Sequence, residues 1–227
     1  MLMMKILGVT EAAVLAIRRK IISGEFAPSQ KLVESELADQ LEISRPPLRE
    51  AFRILQQEGL VVGSPRRGIS VVDLSLKDLE DIYQFRGFIE LHAVENIDND
   101  NLIRLEISIE KTSGWIAENT DMDSEGLWDF RRIITEFHVT LVESLNNSYI
   151  KRCYSCLISN LARYHFLQFY SDGTHHSVED HKKIIEFLKQ GQTQQAKQFL
   201  KEHLNWSYLS LHKIVSGKVT QPLKNGH

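Results

Sequence analysis

The sequence predicts a mainly α protein in two parts: an N-terminal winged helix-turn-helix with a small β-hairpin wing, followed by an antiparallel all-α bundle. Three observations predict it. Ser44 to Gly59, SRPPLREAFRILQQEG, compresses a helix start, an apolar stripe, a basic stripe and a helix stop into one short run. The segment after it, LVVGSPRRGISVV, reads as two β-rich stretches around a basic turn. From Ser75 to Ile214 helical patterns follow one another and no strand pattern survives.

Thr10 to Ser23 is the first helix, with Thr10 as cap, Glu11 favourably placed in the first turn, and Val14, Ile17 and Ile21 as its apolar stripe. Gly24 ends it. Leu32 to Leu41 carries Leu32, Leu37, Ala38 and Leu41 at helical spacing, and only Glu42 and Ile43 separate it from the next cap. Two helices joined by so tight a turn make a helix-turn-helix. In the following helix Ser44 caps by accepting a bond from a first-turn amide, and Pro46 and Pro47 occupy positions where a missing N–H costs little. Leu48, Ala51, Phe52 and Leu55 form the buried stripe, while Arg45, Arg49 and Arg53 recur every four residues beside it. The helix can pack and still present arginines. Gly59 is the stop, and Ser-Pro-Arg-Arg-Gly closes the hairpin with a basic tip.

Beyond Val72, helices are predicted near Ser75 to Asn96, Asp100 to Glu118, Ser124 to Leu145, Ser148 to Phe169, Ser177 to Lys189 and Thr193 to Ile214, with Asp73 and Ser75 as cap candidates. Turn-forming residues near 98–100, 119–121, 146–147, 171–174 and 191 divide them. Short breaks between helices give a bundle. The expected domains are therefore 1–72, 73–215 and a mobile tail, 216–227, whose glycines, proline and few apolar residues leave it unanchored.

At 227 residues and 42% hydrophobic content the chain can bury a core of one moderate domain plus a small one. The net charge of −3 does not by itself suggest a nucleic-acid partner. The first 72 residues carry ten basic and eight acidic side chains against 17 and 22 in the rest, so DNA binding rests on where the arginines lie. No apolar run is long enough to cross a bilayer and no cleavage site follows the N-terminal apolar stretch, which points to a cytoplasmic protein without a membrane partner. Cys153 and Cys156 have C-x-x-C spacing, but in a helical pattern with no second pair they read as two half-buried thiols.

The segments KIISGEFAPSQKLVESELADQLEISRPPLREAFRILQQEGLV and SPRRGISVV resemble the DNA-binding domain of the GntR family of bacterial transcription regulators. The resemblance spans roughly Thr10 to Val72. Gly24, Pro28, Leu32, Glu34, Ser44, Arg45, Pro47, Arg49, Glu50, Gly59, Arg67 and Gly68 are among the residues that fall where the family pattern has them. Gln30 and Glu42 stand where glycine is usual, and both are expected in turn conformations that glycine adopts more easily. The bundle resembles the FCD effector-binding domain of the FadR branch: YQFRGFIELHAVENI with Arg86 and Glu90, EFHVTLVESLNNSYI with His138, and DHKKIIEFLKQGQTQQAKQFLKEHL with His181 and His203.

The resemblance implies a homodimeric, ligand-responsive regulator whose recognition helices read a palindromic double-stranded operator. Arg45 and Arg49 are then the base-reading candidates, because arginine bonds two guanine acceptors at once. Ser44 and Pro46 would contact backbone or base methyls, Arg53 phosphate or an acid of its own chain, and Arg66, Arg67 and Gly68 form the wing tip.

His138, His181 and His203 each lie in an apolar stripe. On periodicity alone they are either histidines hydrogen-bonded in a core or three converging nitrogen ligands suited to Zn, Ni, Co or Cu. The FCD resemblance favours a divalent metal such as Zn or Ni. The family usually adds an aspartate four residues before the first histidine, where this chain has Ile134, which cannot coordinate. The effector implied is a small carboxylic acid, met by the three histidines, by Arg86 and, as a second candidate, by Arg163, whose alternative is a salt bridge. Two further readings stand beside this one: a regulator whose bundle only dimerises, and a three-histidine metalloenzyme, for which no acid or base in the matched motifs is placed.

Overall fold

The structure is a computed structural model and describes residues 8–64, 68–118, 124–169 and 174–219. The chain divides into two compact units, Met1–Leu74 and Ser75–His227.

In the first unit, α1 (Val9–Ile22), α2 (Glu34–Gln40) and α3 (Arg45–Gln57) pack over a three-stranded sheet of β1 (Lys31–Leu32), β2 (Val61–Ser64) and β3 (Gly68–Val71). The strand order is β1-β3-β2, and both pairings are antiparallel, with Leu32 opposite Ile69 and Val62 opposite Ser70. The predicted stripes meet in one core: Val14, Ile17 and Ile21 from α1, Leu37 and Ala38 from α2, and Leu48, Ala51, Phe52 and Leu55 from α3. Arg18 of α1 holds Glu58, the residue capping α3, through two hydrogen bonds of 3.1 and 2.5 Å.

Several local expectations are corrected. Leu32 belongs to β1, since it and Lys31 pair with β3 rather than start a helix. Gly8, not Thr10, precedes α1, and the Glu11 carboxylate accepts the Gly8 N–H at 3.3 Å. Ser44 stands at the N-cap of α3 in an extended conformation but makes no side-chain cap bond. Glu42 has φ +53°, as expected at a glycine-type position, and there closes the C-terminus of α2. At the other departure the positive φ, +63°, falls on Ser29 rather than Gln30. Gln30 instead bonds back to Ala27 through its own N–H and its side-chain oxygen.

The second unit is an all-α bundle of α4 (Leu76–Glu95), α5 (Asn99–Glu118), α6 (Ser124–Glu143), α7 (Ser148–Phe169), α8 (Thr174–Lys189) and α9 (Thr193–Val219). Helix α4 packs along α9 and against α6 and α7, while α8 lies between α5 and α9. Ser75 caps α4 by accepting the Asp78 N–H at 3.0 Å. Tyr164 of α7 grips the same turn: its hydroxyl contacts the Ser75 backbone at 3.0 and 3.2 Å and donates to Asp78 at 2.7 Å. Helix α8 starts three residues earlier than predicted. Helix α9 continues to Val219, so the first part of the expected tail is helical; residues 220–227 lie outside the described residues. Cys153 and Cys156 are free and exposed on α7, not half-buried. Among the described residues no helix is long and apolar enough to cross a membrane.

Candidate functional site

Two constellations emerge, one in each unit. On α3, Ser44, Arg45, Pro46, Arg49 and Arg53 are all exposed. Arg45 has no ion pair among the described residues. Arg49 Nε donates to both carboxylate oxygens of Glu34 on α2, at 2.9 and 3.0 Å, and this contact raises its pKa further. Arg53 Nη1 donates to Glu50 at 3.1 Å. Gly68, exposed with φ +82°, opens β3 beside the wing tip; Arg66 and Arg67 lie outside the described residues.

In the bundle, His138 of α6, His181 of α8 and His203 of α9 converge. Their Nε2 atoms point at one another, with 3.1 Å between His181 and His138 and 3.2 Å between His181 and His203. All three side chains are buried. Phe137 stacks on the His181 ring at 4.1 Å and walls the cluster.

The far side of two rings is held by acids. His138 Nδ1 meets Glu90 Oε2 at 2.7 Å, and His203 Nδ1 meets Asp180 Oδ2 at 3.0 Å. Each carboxylate therefore fixes the proton on Nδ1 and leaves the Nε2 lone pair facing the cluster centre. Burial lowers the His138 pKa to about 4 against the pull of Glu90, and drives that of His181 well below its ordinary value, so both rings are neutral at pH 7. One N–H on His181 cannot satisfy two lone pairs arriving from opposite neighbours with good geometry. A cation at the centre can accept from all three, and the ligand atoms all lie within 4.8 Å of one another.

Glu90 is wholly buried, and burial opposes its charge, but Arg86 and His138 beside it hold its pKa at about 2. Arg86 Nε donates to Glu90 Oε1 at 2.7 Å, and Tyr154 donates to the same oxygen at 2.6 Å. Glu90 is thereby fully engaged in orienting its neighbours. Arg86 lies over the Tyr83 ring at 5.0 Å, and its Nη2, buried, has no hydrogen-bond partner among the described residues. A buried charged donor in that state can donate to a water or an anion.

Arg163 is placed elsewhere. It donates from Nη2 to Asp78 at 3.1 Å and to Asn160 at 3.0 Å. Asp78 is twelve residues before Glu90 on α4, about 18 Å of helix rise, so Arg163 braces the first turn of α4 and does not join the histidines. Ile134 is half-buried on α6, one turn before His138.

Comparison with known proteins agrees with this architecture. Residues 9–71 match the model of the bacterial regulatory proteins of the gntR family, and residues 81–205 match the FCD domain. The HTH-type transcriptional regulator YdhC of Bacillus subtilis (strain 168) is 30% identical over 208 residues, which is 89% of this chain and 91% of that protein. The chain belongs to the GntR family. The Nta operon transcriptional regulator of Aminobacter aminovorans is 25% identical to this GntR protein, over 88% and 93% of the two chains. In fold, it resembles the crystal structure of a GntR regulator from Rhodococcus sp. RHA1, with TM-score 0.76, 23% identity and coverage of 90% and 98%. As a GntR protein with an FCD domain, it is a ligand-responsive DNA-binding regulator and not an enzyme.

Three residues of the bundle site of this GntR protein were not assigned a site role by sequence reasoning. Tyr154 and Asp180 sit in ordinary amphipathic helices, and their partners are 64 and 23 residues away. Glu90 was recognisable only as half of an i, i+4 pair with Arg86; its second face, toward His138, crosses from α4 to α6.

Proposed function

We propose that this GntR regulator, of the FadR branch, binds a palindromic operator as a homodimer and that a small organic acid in the bundle modulates its DNA affinity. The observation that carries the proposal is the convergence of three Nε2 atoms, with the tautomers of His138 and His203 fixed by Glu90 and Asp180, together with a buried arginine nitrogen that has no hydrogen-bond partner among the described residues. His138, His181 and His203 hold a divalent transition metal such as Zn or Ni. A bound ion supplies a Lewis-acidic point that a carboxylate oxygen can occupy. Arg86, which meets Oε1 of the Glu90 carboxylate whose Oε2 meets His138, contributes positive charge and a planar donor. With Ile134 at the usual aspartate position, the protein supplies three ligands, and a fourth position is left to water or to the acid itself.

On the DNA side, Arg45 and Arg49 reach guanine edges. Ser44 and Pro46 contact backbone or base methyls, Arg53 serves phosphate, and Arg66, Arg67 and Gly68 approach the groove as the wing tip. Dimerisation doubles a contact that one short helix makes over too few base pairs.

The deciding measurement is the metal content of protein purified without a histidine tag or chelator, with His138→Ala as control. Near one transition metal per chain, absent from the variant, is the expected result. Metal-free protein that zinc and nickel fail to stabilise would overturn the metal site. It would favour the second reading, to which Ile134 lends support, of a bundle that serves dimerisation alone.

A further inference from the structure

We infer that Glu34 is a specificity-determining positioning residue, which holds the Arg49 guanidinium by Nε so that its two Nη nitrogens present end-on to a guanine. The inference rests on the proposed base-reading role of Arg49 and adds the residue that aims it.

The geometry distinguishes aiming from simple competition. Both Glu34 oxygens accept from the single Nε of Arg49, at 2.9 and 3.0 Å, and neither Nη nitrogen makes a hydrogen bond among the described residues. A carboxylate that competed with DNA for the end-on edge of Arg49 would occupy at least one Nη nitrogen, as it does in a two-bond fork. Here it takes the third donor and leaves the fork open. A guanine offers O6 and N7 as adjacent acceptors, which two parallel Nη donors match. Arg53 shows the contrast on the same helix: Glu50 engages its Nη1, so one half of its end-on pair is already in use.

Glu34 is well anchored for the task. It is the first residue of α2, where the free N–H groups and the helix dipole favour a carboxylate. Its side chain is 33% exposed while that of Arg49 is 64% exposed, so the acid sits lower and the arginine stands above it. An unaimed arginine has several rotatable bonds to immobilise on binding; a bond at Nε fixes most of them beforehand. A negative charge on a surface that meets phosphates lowers affinity for any DNA, so its benefit must appear as discrimination between sequences.

The test selects bound sequences from randomised duplex DNA with the full-length protein, Glu34→Ala, Glu34→Gln, Arg49→Ala and the Glu34→Ala/Arg49→Ala double variant. Thermal unfolding is run alongside. The expected result is that Glu34→Ala and Glu34→Gln lose preference at the same base positions as Arg49→Ala, by about tenfold. Binding to random DNA should be equal or tighter, and the double variant no worse in discrimination than Arg49→Ala. A structural strut would instead lower the unfolding midpoint and add its loss on top of Arg49→Ala. Unchanged base preference in Glu34→Gln, loss at other positions, or tighter operator binding with discrimination intact would each overturn the positioning role. Failure of the DNA-reading assignment looks different: the unmodified protein would select no sequence, or Arg49→Ala would keep every preference.

Discussion

Replacing Glu90 by glutamine tests the link between the buried ion pair and the histidine centre. The side chain keeps its shape, so no cavity forms, but one oxygen becomes an NH2 donor and the charge opposite Arg86 disappears. Three short bonds converge on this carboxylate, from Arg86, Tyr154 and His138 at 2.7, 2.6 and 2.7 Å. Either one of them then faces a donor with a donor, or His138 must give up its Nδ1 proton to accept from the new amide. Breaking a buried pair by removing one charge costs about 3 to 5 kcal/mol, and the acceptor oxygen that remains puts this case near the lower figure. At about 2 to 4 °C per kcal/mol for a unit of this size, the bundle midpoint should fall by roughly 6 to 12 °C. An amide nitrogen set against His138 also favours the opposite tautomer, with its proton on Nε2 and pointing into the cluster, which should weaken zinc binding about 10- to 100-fold. Thermal unfolding in chelator gives the first quantity, and competition against a zinc indicator gives the second. A lower midpoint with undiminished zinc affinity would refute the orienting role of Glu90. An unchanged midpoint would refute its role as the counter-charge of Arg86.

Other expectations follow from the same geometry. Arg49→Ala should lower specific operator affinity by about 1 to 3 kcal/mol while leaving the helical circular dichroism unchanged; intact discrimination against random DNA would remove it from base reading. Acid should destabilise the metal-free bundle in two stages, measured as urea midpoints in chelator. His138 has a folded pKa of about 4, below its unfolded 6.5, so the unfolded chain takes the proton first and stability is lost as pH falls from 6.5 toward 4, by about 3 kcal/mol in total. Glu90, held at about 2, adds its loss below about pH 4.5; a flat profile from pH 7.5 to 4 would contradict the buried neutral imidazoles. Glu42→Gly should raise the stability of the first unit by a few tenths to about 1 kcal/mol, because relief of the left-handed conformation outweighs the added freedom of the unfolded chain; a loss of stability would show that the Glu42 side chain contributes more than its backbone costs.

The parts of this fold that were legible are those encoded within one helical turn. Pro46, Pro47 and Gly59 bracket α3 to within two residues, and the stripe of Leu48, Ala51, Phe52 and Leu55 is buried as its spacing requires. Features that depend on distant partners were not legible. Strand β1 is two residues long and exists only because β3, nearly forty residues later, offers it a ladder. Periodicity placed each of the three histidines on an inward face. It carries no information on which faces meet, and still less on Glu90 and Asp180 turning two rings. The misplaced strain at Gln30 has a similar origin: Gln30 bonds back to Ala27, which moves the left-handed residue one step earlier.

The grip of Tyr164 on the start of α4 restricts how the bundle can move. Helices α4 and α7 are joined at Ser75 and Asp78 by Tyr164, and again at Glu90 by Tyr154. These two rivets are separated by more than two helical turns on each helix. Two plates riveted at two points cannot slide or pivot past each other unless one rivet gives way. Any displacement imposed at Glu90 therefore reaches Ser75, the first residue of the unit, as a movement of the whole pair, or else it costs the short hydrogen bond between Tyr154 and Glu90.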